Sequence, residues 1–123
     1  MFSLFLTAII LICLDSVYLT LVKKSMITQV ENVQKSKLQI NIFGFISSYL
    51  FLVIGLYFFI IRNKKPNYLH GAFLGMIIYG VYDMTNLATF HKWSYTFAIQ
   101  DILWGSFLFG FTTFLVGRII SSS

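Results

Sequence analysis

Two aspartates and an asparagine, Asp83, Asn86 and Asp101, interrupt the run YGVYDMTNLATFHKWSYTFAIQDILW between Tyr79 and Trp104, much of which is apolar enough to lie in a bilayer. A carboxyl at membrane depth is costly and by default marks a functional site. Its chemistry would be that of a general acid or base, or of an anchor for a proton or cation. Tyr79 and Asn86 would be placed to orient a ligand.

The elements that must carry these residues follow from composition. The chain has 123 residues, 58% of them hydrophobic and 11% charged, and a mean hydropathy of +0.82, which leaves too little polar surface for a soluble protein. Four long apolar runs, approximately residues 2–22, 42–61, 70–90 and 97–120, each approach the roughly 20 residues a helix needs to cross a ~30 Å hydrocarbon core. They are continuous rather than alternating with period two, which disfavours a barrel and leaves helices to satisfy the backbone in lipid. The first run lacks a basic n-region and a small-residue cleavage site and continues past Asp15, so it reads as a retained span. The expected fold is all-α: an integral membrane, antiparallel four-helix bundle forming a single multi-pass domain over residues 1–123. The host membrane is not legible.

The only sizeable connection runs from Lys23 to Asn41. There Met26, Ile27, Val30 and Val33 recur at helical spacing against Glu31, Gln34, Lys35 and Lys37, so an interfacial helix over residues 25–37 and a plain polar loop both stay open. Arg62-Asn63-Lys64-Lys65-Pro66-Asn67 reads as a tight basic turn, and His91-Lys92-Trp93-Ser94-Tyr95 places aromatic rings where an interfacial belt belongs. Nine Lys and Arg give a net charge of +5. Almost all sit at span ends or in connections, a pattern that fits contact with the lipid bilayer and not with nucleic acid. The face holding both termini carries Arg62, Lys64, Lys65 and Arg118, and the other Lys23, Lys24, Lys35, Lys37 and Lys92; four against five sets no orientation. The single Cys13 excludes an intramolecular disulfide and reads as a packed thiol.

Antiparallel threading then exposes an asymmetry. Asp15 and Asp83 each lie about three residues beyond the middle of their spans, roughly 4–5 Å toward the face bearing the first and third connections, here termed the loop face. Asp101 enters from that same face, so all three carboxylates share one half of the bilayer. Asn86, Thr89, Ser47, Ser48 and Trp104 follow them, whereas the other half holds little beyond His70, Thr112 and Thr113. Gly71, Gly75, Tyr79 and Asp83 recur every four residues on one stripe of the third helix, with Asp101, Trp104, Gly105 and Leu108 on a similar stripe of the fourth. The glycines alone read as a packing face.

The stretch Tyr79-Gly80-x-Tyr82-Asp83-x-Thr85-Asn86-Leu87-Ala88-Thr89, followed by Trp93 and by Asp101-x-x-Trp104-Gly105, resembles the signature of the predicted small membrane proteins of domain-of-unknown-function family 2177 (DUF2177). Asp15-x-x-Tyr18-Leu19 is similar to that family's first-helix Asp-x-x-Trp-Leu, with tyrosine in place of tryptophan. The resemblance covers essentially the whole chain. It implies a four-helix integral membrane protein and no established activity.

The preferred expectation is a polar pocket open to the loop face, formed by Asp15, Tyr79, Asp83, Asn86, Asp101 and Trp104, that binds a lipid-like or small cationic ligand. One alternative is a proton or cation transporter subunit, which with four helices would be a homo-oligomer. Another is an enzyme using Asp83, Asp101 or Asp15 as acid or base on a lipid, although no Ser-His-Asp order, metal-spaced His/Cys cluster or phosphate loop is present and no metal or cofactor is implied. His91 reads as a solvated loop histidine. A third alternative is a purely structural hydrogen-bond network that assembles the helices.

Overall fold

A computed structural model describes residues 2–35, 41–90 and 93–122. Lys37, His91 and Lys92 lie outside the described residues. Four helices account for nearly all of the rest: α1 (Phe2–Gln34), α2 (Ile42–Leu56), α3 (Tyr68–Thr89) and α4 (Tyr95–Ser122). A π-helical turn, Tyr57–Ile61, prolongs α2. Asn41 and Asn67 start α2 and α3, each accepting backbone N–H bonds with its side chain, from Gly44 in one case and from Leu69 and His70 in the other.

The first helix departs from its expected length. No Gly or Pro occurs between Phe2 and Gln34, so α1 runs unbroken for 33 residues, about 50 Å at ~1.5 Å per residue and well beyond a ~30 Å core. The segment from residue 25 is therefore neither a separate interfacial helix nor a loop; it extends α1, and residues 36 and 37 fall outside the described part. The extension is held by packing: Met26 and Val33 lie against Trp93, Phe97 and Ala98, with Leu87 alongside. Gln29 Oε1 accepts the Ser94 backbone N–H at 3.0 Å. Lys35 ends the helix in the left-handed region, at φ 56°.

Polarity is inverted relative to a protein in water. Phe43 and Phe51 are 82% and 76% exposed, while Thr7, Asp15, Asp83, Asp101, Thr112 and Thr113 are buried. Apolar side chains outside and polar ones inside are what a lipid solvent selects. Three helical stretches, Phe2–Glu31, Ile42–Ile61 and Tyr95–Ser121, are long and apolar enough to cross a membrane. The remaining helix, α3, is held below that measure by its polar residues and lies against α4. The protein is an all-α membrane bundle, with a main core of Leu11, Val53, Leu56, Ile60, Ile61, Leu108, Phe109 and Val116.

Cys13 corrects one expectation: it is exposed, not packed. The inward stripe of α1 is Thr7, Leu11, Asp15 and Tyr18, and Cys13, two residues from Leu11 and from Asp15, lies about 200° around the helix from each.

The α3–α4 interface is the tightest in the molecule, and its contacts run in opposite chain directions, from Gly71 beside Thr113 to Gly75 beside Gly105. A methyl group on Gly75 would strike the Gly105 carbonyl and come within 2.8 Å of Phe109 Cβ, and one on Gly105 would enter the Tyr79 ring. Ser106 Oγ adds a bond to the Ala72 carbonyl at 3.0 Å. Gly105→Ala is expected to destabilise the bundle by about 1–3 kcal/mol through overpacking. Gly80→Ala, at a glycine with nothing within 4 Å of the added methyl, should be neutral or slightly stabilising. Unfolding in mixed micelles by SDS titration measures both; equal effects would remove close approach as the reason for Gly105.

Candidate functional site: a buried carboxylate cluster

The three carboxylates meet at the loop-face half of the bundle, each from a different helix and each with different partners. Asp15, on α1, is doubly bound: the Tyr49 hydroxyl of α2 donates to Oδ2 in a short hydrogen bond, and Trp104 Nε1 of α4 donates to Oδ1 at 2.9 Å. Asp101, on α4, accepts from the Tyr18 hydroxyl of α1 at 3.2 Å. Tyr18 also stacks on Trp104, with ring centroids 4.6 Å apart and planes 3° from parallel. Tyrosine at the position where the family resemblance has tryptophan thus keeps a flat ring for stacking and supplies an O–H donor.

Asp83, on α3, is different. It is fully buried, at 0% exposure, and it sits within electrostatic reach of Asp101 and of the Trp93 indole. Yet neither of its oxygens meets hydrogen-bond geometry among the described residues, and the buried Trp93 Nε1 likewise does not, although Asp101 and Trp93 both come close enough to interact with the Asp83 carboxyl. Trp93 lies over this end of the bundle, stacked edge-on against Tyr82 and Phe97 and backed by Met26 and Val33 of the α1 extension. An orphaned carboxyl beside an orphaned indole N–H is rare in packed protein and calls for a specific explanation.

Of the residues expected to form the site, Asp15, Asp101 and Trp104 are joined directly, and Asp83 adjoins Asp101. Tyr79 packs its ring against Gly105 and edge-on to Phe109 at 6.3 Å between centroids, so it serves the α3–α4 contact while lying close enough to Asp15 and Asp101 to interact electrostatically. Asn86 is half-buried and neighbours Tyr82 at the edge of the cluster. Ser48 and Thr89 do not join; both are exposed and bond back to carbonyls of their own helices. Cavities of about 330, 340 and 350 Å³ are lined by residues other than the three aspartates. All three acids are buried. Among the described residues no group of three or more His, Cys, Asp and Glu side chains is arranged to hold a metal ion.

Tyr49 was not legible as a partner: nothing in the linear sequence links it to Asp15. Tyr18 carried a signal, since Asp15-x-x-Tyr18 puts both on one helical face.

Residues 1–117 match the family described as predicted membrane protein, DUF2177. The chain belongs to this family. No curated protein and no solved structure matches it. In this DUF2177 chain the match takes in every residue of the carboxylate cluster and ends just short of Arg118. Family membership establishes a membrane protein with several apolar helices.

The hydrogen bonds to Asp15 give a direct test. Tyr49→Phe leaves a buried acceptor without its donor and is expected to cost about 1–2 kcal/mol in the bilayer. A double-mutant cycle with Asp15→Asn should show coupling, whereas one pairing Tyr49→Phe with Asp101→Asn should be close to additive. Coupling of equal size in both cycles would contradict the assignment.

Proposed function

We propose that the cluster binds a small cationic group, free or carried on a lipid-like ligand, with Asp83 as the anchoring carboxylate and Asp101 as its partner. The observation that carries this reading is Asp83 itself: complete burial with both oxygens unbonded among the described residues. Burying a carboxyl without a compensating partner costs several kcal/mol, so such a residue persists where another role requires it. Charge argues for a cation. Residues 2–22, 42–61, 70–90 and 97–117 contain no Lys or Arg, so no basic side chain within the spans can neutralise Asp83 or Asp101. A group that brings positive charge and N–H donors would complete both acids at once.

Asp15 has the other role. Its two oxygens are taken by donors from α2 and α4, which suits a residue that ties three helices together. The cluster thus combines a binding half, Asp83 with Asp101, and an assembling half, Asp15 with Tyr49 and Trp104. Tyr18 links them through its bond to Asp101 and its stacking on Trp104. Asn86 and Tyr79, at the margins, would orient the ligand.

Trp93 and Trp104 are the two tryptophans of the chain, and Trp93 adjoins Asp83, so indole fluorescence is a local reporter. Titration of the protein in nanodiscs with methylammonium, ethanolamine and sodium is expected to give a saturable change with at least one of them, lost in Trp93→Phe. Asp83→Asn should weaken that binding by on the order of tenfold or more, a lost charge-assisted contact, while leaving thermal stability unchanged or higher. A flat response to all three cations, or Asp83→Asn destabilising as strongly as Asp15→Asn, would favour a purely structural network.

A further inference from the structure

The end of the bundle opposite the carboxylates carries a second feature of contrary charge. A cleft of about 340 Å³ lies between the turn that joins the π-helical segment to α3 and the last turns of α4, lined by Lys64, Lys65, Tyr68, Phe114, Arg118 and Ser121 among others. We propose that this cleft is a binding site for the headgroup of an anionic phospholipid, with the phosphate held by Lys64 and Lys65 and the upper acyl chain laid against Phe114.

Three observations support it. First, charge is segregated: the four acidic residues of the chain are Asp15, Glu31, Asp83 and Asp101. Antiparallel threading places all of them toward the loop face, so no acidic side chain competes for these lysines. Lys64 and Lys65 are exposed and line the cleft together with Arg118. Arg62, by contrast, is turned away: its Nε donates to the Phe58 carbonyl at 3.0 Å and its guanidinium lies 3.9 Å from the centroid of the Phe58 ring.

Second, depth is right for a headgroup. The cleft sits where three helical segments end, and its wall includes Tyr68 edge-on to Phe114 with ring centroids 5.9 Å apart, an aromatic pair of the kind that sits at the membrane–water boundary. Basic pockets at this level between membrane helices suit phosphate-bearing headgroups. Third, the cleft is two-sided in chemistry. Ile61, Phe114 and Ile120 offer an apolar wall, while Asn63, Ser121 and the two lysines form the polar side. A free phosphate would use only the second; a phospholipid uses both. The α3 N-terminus plays no part, since Asn67 already accepts from Leu69 N and His70 N.

Retention of short-chain phosphatidylglycerol and of phosphatidylcholine with the same chains, measured by native mass spectrometry on the full chain in neutral detergent, tests the site. Phosphatidylglycerol is expected to be retained on the order of tenfold more strongly than phosphatidylcholine. The double variant Lys64→Gln/Lys65→Gln should abolish the difference. Lys23→Gln/Lys24→Gln, an equal loss of exposed charge on α1, should preserve it. Glycerol phosphate at the same concentration should not displace the lipid. No preference in the natural chain, a preference that survives in the Lys64/Lys65 variant, or equal loss in both variants would each overturn the proposal; efficient displacement by glycerol phosphate would overturn a lipid and point to a free phosphate ester. None of these outcomes depends on Asp83.

Discussion

Close approach of α3 to α4 is the contact on which the rest of the structure depends, because it sets the rotation and register that bring Asp83 beside Asp101. In lipid there is little hydrophobic force between helices, so backbone proximity and side-chain interlocking must supply the association. Gly71 and Gly75 let the Phe109–Thr113 segment of α4 approach, and Gly105 receives the Tyr79 ring. Asp83 lies on the same stripe, two turns beyond Gly75. A helix pair this close buries its shared carboxylates, and that is why their hydrogen-bonding partners matter so much.

Within that frame three residues of one type have three different fates. Asp15 is filled by donors from two other helices, Asp101 takes one from Tyr18, and Asp83 takes none among the described residues. The gradient follows the supply of donors. Tyr18, Tyr49 and Trp104 reach Asp15 and Asp101, whereas Asp83 has Asp101 and Trp93 as its neighbours. The long α1 reinforces this division, since its extension brings Met26, Val33 and Gln29 to the Trp93–Phe97 region and so backs the indole that covers Asp83.

Charge is consequently sorted by depth: the three aspartates are buried, and Lys64 and Lys65 are exposed in a turn. Acidic groups are drawn inward at the loop-face half, where helices can surround them, and basic groups stay at both boundaries, where long side chains reach the headgroups. Buried charge of one sign and peripheral charge of the other is an arrangement that a membrane protein can sustain without ion pairs in its core.

Helix number and helical class were legible in the sequence, because length and hydropathy are local properties. The Gly71–Gly75–Asp83 stripe was legible for the same reason, through helical periodicity. Other features were not. The extension of α1 past Val22 depends on Trp93 and Phe97 offering a surface to Met26 and Val33, and the outward direction of Cys13 depends on which face of α1 its neighbours claim. Above all, sequence could name Asp15, Asp83 and Asp101 but could not distinguish them. Which carboxyl meets a tyrosine or an indole is decided by helix rotation and register, and those are fixed only when glycine contacts lock α3 to α4 and the bundle closes around them.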